Sequence, residues 1–430
     1  MNCRLGLYIQ SKGYSNLDLS HPEMGNPGIG GTQYCFLQLG YYLPKCKGSQ
    51  YDVTVLSDEQ LMLPTGINNV VVNSIDDMMA KAEELCLDIV ILKTPLDLSI
   101  YNSIAKHPKL KVITWSHNYF NANVAKAISR CSNINLNVFV SKQMYDFYID
   151  DDVIKKSTFI FNMVPDVLGD CYRTAKPFTL TYMGCLEPVK GIVTLLKIWK
   201  IIEKKYPNAE LNIIGGNLYD RTKGNFEGEG NVKSKTEMLI SKYVFDKNGK
   251  PKPNIHFLGI LGEEKYDVFL HSSVGIVNPS AKTETFGLGI VEMATAKLPV
   301  VTKNWNGHPD VALNGETALL GFSVKQMAAN VIRLFEDKEL NERMGEMVKQ
   351  KMKRFAPSEI TKVWCKNLEM VMDGNFTNYN YSISRPYWNN YKFLRQINST
   401  LRYRLSLSFL PSMVTYETFV NDWLKKLRTK

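Results

Sequence analysis

The chain has 430 residues, more than one hydrophobic core usually covers, so two domains are expected. Apolar residues make up 44% and charged residues 22%, which excludes wholesale disorder, and no apolar run approaches the roughly 20 residues of a membrane-spanning helix. The net charge of +10 is unevenly placed: residues 375–430 hold nine Lys or Arg against only Glu417 and Asp422, a surplus of seven.

The N-terminal segment turns polar too soon for a secretory signal, so a cytoplasmic location is expected. The eight cysteines form no CxxC pair or other metal-ligand spacing, so reduced thiols are expected and no metal site. Short apolar runs then alternate with helical patterns, the mark of βα units and a parallel sheet. Runs at 5–9, 53–56, 70–72, 88–92, 112–115 and 136–140 predict buried strands, with helices at 33–43 and 75–86. A second series has strands at 179–183, 210–214, 255–258, 274–277 and 300–302, and helices at 192–205 and 288–296. The fold class is thus α/β, two doubly wound halves with a linker near 172–178. A Gly-, Lys- and Glu-rich interruption spans 217–253, a long loop of the kind that is functional or mobile. Asp150-Asp151-Asp152 follows an amphipathic helix pattern and reads as a solvated acidic cluster.

In parallel sheets ligands bind beyond the carboxyl ends of the strands, where loops lead into helix N-termini. The segment from Val277 to Val301 has this form: a strand, Asn-Pro-Ser, Glu284-Thr-Phe-Gly, a helix start near Gly287, then Glu292 and Leu-Pro-Val-Val. Free N–H groups and the helix dipole at that start suit a diphosphate. Glu292 lies about 7–8 Å further along the helix, within reach of ribose hydroxyls. Asn26-Pro-Gly-Ile-Gly30-Gly31 also follows a strand and opens a helix, though alone it reads more readily as an ordinary turn. Met183-Gly184-Cys-Leu-Glu-Pro-Val-Lys190-Gly and Val112-Ile-Thr-Trp-Ser-His117 are two further strand-end loops.

Together these segments resemble glycosyltransferase family 4, in the same order, over about residues 3–372. The resemblance implies a GT-B architecture: two Rossmann-like domains facing a cleft, here 1–172 on the acceptor side and 178–372 for the nucleotide sugar. It implies retaining transfer from a UDP- or GDP-linked sugar to a glycan or lipid-linked acceptor in surface polysaccharide biosynthesis, without metal or other cofactor. It casts Glu284, His117 and Lys190 as catalytic: Glu284 on the donor sugar, Lys190 on the diphosphate, and His117 near the reacting centre. Glu292 would hold the ribose, and Gly30, Gly31, Gly184, Phe286, Gly287 and Leu288 would line the donor. The sequence departs from the family at three places. Cys185 stands where an arginine normally pairs with the lysine, and Lys297 and Ala318 replace glycines. The first leaves open a degenerate relative that binds sugar nucleotide or glycan without turnover.

The tail 375–430 is expected as a basic, aromatic-rich helical extension. Phe419, Val420, Trp423, Leu424 and Leu427 fall on one helical face, ending in Lys425, Lys426, Arg428 and Lys430. Such a helix suits an anionic inner-leaflet membrane surface. The alternative is that the apolar face packs on the protein and the charges are solvated. No nucleic-acid-binding motif accompanies the basic residues, and nucleic acid is not expected as a partner.

Overall fold

The computed structural model describes residues 3–46, 51–216, 234–376 and 382–428. The first sheet holds β1 (Cys3–Ile9), β2 (Tyr51–Ser57), β3 (Asn68–Val71), β4 (Ile89–Lys93), β5 (Lys111–Ser116), β6 (Ile134–Phe139) and β7 (Ser157–Phe159). All pair in parallel, in the order β3-β2-β1-β4-β5-β6-β7. Residues on both faces of the central strands are buried, which is why these strands read as continuous apolar runs. The Ser-Thr-Phe strand β7 has no such run and escapes a hydropathy reading. Side chains of Ser74, Asn121 and Ser141 accept backbone N–H groups at the starts of the helices Ile75–Glu84, Ala122–Arg130 and Lys142–Phe147.

The second sheet holds β8 (Thr179–Met183), β9 (Glu210–Ile214), β10 (Ile255–Gly259), β11 (Val274–Val277), β12 (Val300–Lys303) and β13 (Ala318–Gly321), all parallel. Their order is β10-β9-β8-β11-β12-β13. In both sheets the winding reverses beside the first strand, at β1/β4 and at β8/β11, the arrangement of a Rossmann-like sheet. Trp199, Leu195, Ile213, Ile276 and Val331 are among the side chains that fill the second core. Of the expected 217–253 loop, residues 217–233 lie outside the described residues. The remainder includes the helix Ser234–Val244, whose Ile240 and Val244 join that core, so this part is structure and not loop.

By contacts the chain divides into Met1–Pro22, Thr32–Met163 and Pro357–Lys430 in one unit, and Glu23–Gly31 with Val164–Ala356 in the other. The crossing at 163/164 precedes the expected linker. Arg173, within that linker, is instead fastened to the second unit, donating to the carbonyls of Ser272 (2.9 Å) and Ser273 (3.1 Å). The helix Pro357–Met372, expected to end the second domain, belongs to the first unit. Its Trp364 packs edge-on against Trp115 at 4.8 Å, and Lys111 Nζ donates to the Met372 carbonyl at 2.5 Å. Amphipathic periodicity shows that this helix has an apolar face but not which sheet covers it.

The acidic triplet is corrected too. Asp150 and Asp151 are buried, and together with Asp146 they anchor the C-terminal extension. Lys392 pairs with Asp146 at 3.1 Å, Arg395 with Asp150 at 3.9 Å and Arg402 with Asp152 at 3.1 Å. Asp150 also accepts from Asn398 Nδ2 (2.7 Å) and the Met413 N–H (2.6 Å), and Asp151 from the Ser412 hydroxyl (2.6 Å). Burial raises the pKa of both carboxyls, against the opposing pull of these partners. Among the described residues no helix is long and apolar enough to cross a membrane.

Candidate active site

In the second unit the loops after β8 and β11 lie at the winding reversal, since these strands are neighbours with Met183 paired to Val277. They pack closely. Gly191 has φ +90°, and a Cβ there would lie 2.8 Å from the Ser280 nitrogen, so a side chain would drive the loops apart. The Ser280 hydroxyl donates to the Val189 carbonyl at 2.5 Å, and the Tyr182 hydroxyl lies 3.0 Å from the Lys190 carbonyl and 3.1 Å from that of Cys185. This brings Lys190 to Glu284, Nζ to Oε2 at 3.9 Å.

Asn278 completes the setting. Its Nδ2 donates to Glu284 Oε2 at 3.0 Å, while its Oδ1 accepts from the Ala281 N–H at 3.1 Å and the Ser280 hydroxyl at 2.9 Å. Asn278 (φ 35°) and Ala281 (φ 54°) both occupy the left-handed region, a strained backbone of the kind that clusters at functional sites. Burial pushes the Glu284 carboxyl up, but Lys190, His308, Asn278 and the Phe286 N–H outweigh it and hold the group below its ordinary pKa. Glu284 is thus a carboxylate near neutral pH. Gly287, at φ +103°, takes the cap position of the helix Leu288–Thr295 and has no side chain to cap it.

Sequence reasoning missed a third loop, after β12. The Gly307 N–H donates to the Glu284 carbonyl at 3.1 Å, and Asn306 Nδ2 donates to the carbonyls of Ala281 (2.6 Å) and Lys282 (3.3 Å). His308 is fully buried, with Nδ1 3.0 Å from the Lys303 carbonyl. A carbonyl accepts only, so Nδ1 carries the proton. Burial lowers the His308 pKa, against the pull of Glu284, and the ring is neutral. An Asn-Gly pair shortly after a strand, Asn306-Gly307, was the available signal for this loop.

Glu292 lies on the helix as expected, but it is buried and ion-paired with Lys265 at 3.0 Å. No pattern in the sequence announces that lysine. Lys265 Nζ also donates to the Asn26 carbonyl at 2.7 Å, joining Glu292 to the glycine-rich loop. There Asn26 Oδ1 accepts the N–H groups of Gly28 and Ile29, each at 2.9 Å. Gly31 faces the same helix, a Cβ on it falling 3.5 Å from Leu288 Cδ2.

His117 belongs to the other unit, following β5. It packs on Trp115 at 4.7 Å between ring centroids and on Phe36 at 6.1 Å. Burial, assisted by Lys93, lowers its pKa to about 3, so its imidazole is neutral. Lys297 adopts φ 54°, a left-handed conformation that favours glycine, and pairs with Glu346 at 2.9 Å; Ala318 is a buried strand residue. Among the described residues no three His, Cys, Asp or Glu side chains gather as a metal-ligand group.

Residues 173–351 match the profile of the family described as Glycosyl transferases group 1, which covers the three loops around Glu284. Capsular polysaccharide biosynthesis glycosyltransferase CapM of Staphylococcus aureus is 24% identical over 192 residues, 44% of each chain. Trehalose synthase of Thermococcus litoralis is 22% identical over 174 residues, 40% of this chain and 39% of its own. The chain thus spans less than half the length of these curated relatives. Among solved structures, sucrose-phosphate synthase of Thermosynechococcus elongatus superposes with a TM-score of 0.68 at 15% identity, over 86% of this chain and 99% of that one. HepE of Anabaena in complex with UDP-glucose gives 0.63 at 14% identity, over 85% and 99%. These likenesses identify the fold as GT-B, built from two Rossmann-like parallel-sheet domains.

Proposed function

We propose that the chain is a retaining glycosyltransferase of the group 1 type, taking a sugar from a UDP- or GDP-linked donor to a glycan or lipid-linked acceptor without a metal ion. The observation that carries this reading is Glu284, a carboxylate kept ionised by Lys190 and Asn278 at the sheet's winding reversal, just before a helix that opens on Gly287. The diphosphate rests on the N–H groups at Gly287 and Leu288, with Gly184, Phe286, Gly30 and Gly31 lining the donor. Lys190 balances the charge that grows on the leaving phosphate. Glu284 hydrogen-bonds the donor sugar and supports its oxocarbenium-like transition state, and Glu292 takes the ribose while paired with Lys265. The acceptor oxygen attacks the anomeric carbon on the face that the phosphate leaves. The carbon–phosphate oxygen bond breaks as the new glycosidic bond forms, and the acceptor proton passes to the departing phosphate.

The HepE complex makes UDP-glucose the first donor to test. A panel of nucleoside-diphosphate sugars screened by thermal shift identifies the donor, because a bound ligand stabilises by mass action. Transfer and donor hydrolysis are then compared for the wild type and Glu284→Gln. A loss of about a hundredfold or more is expected. Near wild-type turnover in Glu284→Gln would remove the role assigned to that residue. Cys185 favours a second reading, a non-catalytic binder of sugar nucleotide or glycan. Its signature is a donor-dependent thermal shift with neither transfer nor hydrolysis.

A further inference from the structure

The helix Lys392–Ser399 is inside out. Of its five polar residues, Lys392, Arg395 and Ser399 are at most 1% exposed, while Phe393, Leu394 and Ile397 are 64%, 48% and 44% exposed. Three basic residues of the extension, Lys392, Arg395 and Arg402, are thus turned inward onto the acidic residues of the first unit. That reverses the usual arrangement, in which long apolar side chains fill the core and charges meet water. The following helix, Met413–Arg428, is fixed to the same unit at its start by the buried Val414, the Ser412–Asp151 hydrogen bond and the Arg395–Glu417 ion pair. Beyond Thr418, every described side chain from Phe419 to Leu427 is exposed. Phe419 (71%), Trp423 (54%) and Leu427 (52%) fall four residues apart, on one side of the helix.

We propose that this extension docks on the surface of an anionic lipid bilayer, with the outward apolar faces of 392–399 and 413–428 entering the interface. Such faces exceed the scattered surface hydrophobics of an ordinary protein. Aromatic and leucine side chains with cations beside them are the composition of helices that lie in a membrane interface. Charge selects this occupant. Once the inward pairs are set aside, Arg385, Arg404, Lys425 and Lys426 remain exposed in the described extension, against Asp422 alone. A second copy of the chain would bring like charges together, whereas anionic headgroups complement them. The proposal rests on the extension alone and stands apart from the reading of the Glu284 site.

The full chain is sedimented with vesicles of phosphatidylcholine, or of phosphatidylcholine mixed with phosphatidylglycerol. Binding to the mixed vesicles is expected, weakened by salt, with little binding to phosphatidylcholine alone. The double variant Phe393→Asp/Leu394→Asp, and separately Trp423→Asp, should each reduce binding by about tenfold or more. Because these side chains are exposed, the urea unfolding midpoint should stay at the wild-type value. The proposal is overturned if the wild type remains in the supernatant with anionic vesicles, or if both variants still sediment with them. It is equally overturned if the wild type self-associates and the same substitutions abolish that, since a second copy then covers the surface.

Discussion

The ammonium of Lys265 lies 3.0 Å from the Glu292 carboxylate, and both side chains are almost wholly buried. Removing one member of such a pair strands the other charge away from water, which costs about 3–5 kcal/mol, whereas removing both is often close to neutral. Lys265→Met is therefore expected to lower unfolding free energy by about 3 kcal/mol, and Lys265→Met/Glu292→Leu to recover most of that loss. Urea unfolding of the two variants measures the difference. A double variant as unstable as the single one would show that Lys265 acts through packing or Asn26 and not through Glu292.

The same arithmetic applies to the extension, where Arg395 is fully buried and donates to the Phe147 and Asn390 carbonyls, each at 2.8 Å, beside Asp150 and Glu417. Arg395→Met leaves Asp150 without its buried cation, again a cost of about 3 kcal/mol. The extension should then open ahead of the sheet to which it is bound. Limited proteolysis is expected to cut the variant near 382–410 under conditions that leave the wild type intact.

His117 makes stability depend on pH. Its folded pKa, about 3, is below the ordinary value of 6.5, so between these values the unfolded chain binds the proton and the folded one does not. Stability is fully present above pH 6.5 and falls as pH drops toward 3, by about 1.4 kcal/mol per pH unit from this group. The buried His308, also depressed, contributes with the same sign. His117→Asn should make the decline between neutral pH and about pH 5 shallower, as read by urea unfolding.

Gly307 sits where the third loop meets the second, and a Cβ there would fall 2.3 Å from the carbonyl of Thr285. Gly307→Ala must push the Glu284 loop away, with an expected stability loss of about 1–3 kcal/mol. Under the proposed function, donor turnover should fall together with stability, because the Gly307 N–H holds the Glu284 backbone. Transfer assays at a temperature where the variant remains folded separate the two effects.

Cys185 lies in the same short loop as Lys190, tied to it through Tyr182. A charge-assisted hydrogen bond to phosphate is worth about 1.5–3 kcal/mol. Cys185→Arg is therefore expected to tighten UDP-sugar binding by about tenfold or more, measured by calorimetry. An unchanged affinity would mean that another cation already serves the diphosphate.

The alternation of apolar runs determined the two parallel sheets, because strands buried on both faces must be apolar almost throughout. It also located the Glu284 loop and the helix after it, since strand end, polar loop and helix start follow one another within a few residues. The same reasoning placed Lys190 and His117 in the loops that follow β8 and β5. What only the tertiary structure decided are the partners distant in sequence. Lys265 under Glu292 and Asn306-Gly307 against the Glu284 loop depend on how strands are ordered, and no local pattern records that order. The acidic triplet and the basic tail show the limit most plainly. Alone, the triplet reads as a solvated acidic cluster and the tail as a basic amphipathic helix; folded, Asp150 and Asp151 are buried beneath the extension. Inward charges and outward apolar side chains share the helical period of an ordinary amphipathic helix, so only the packed neighbours reveal which face is inside.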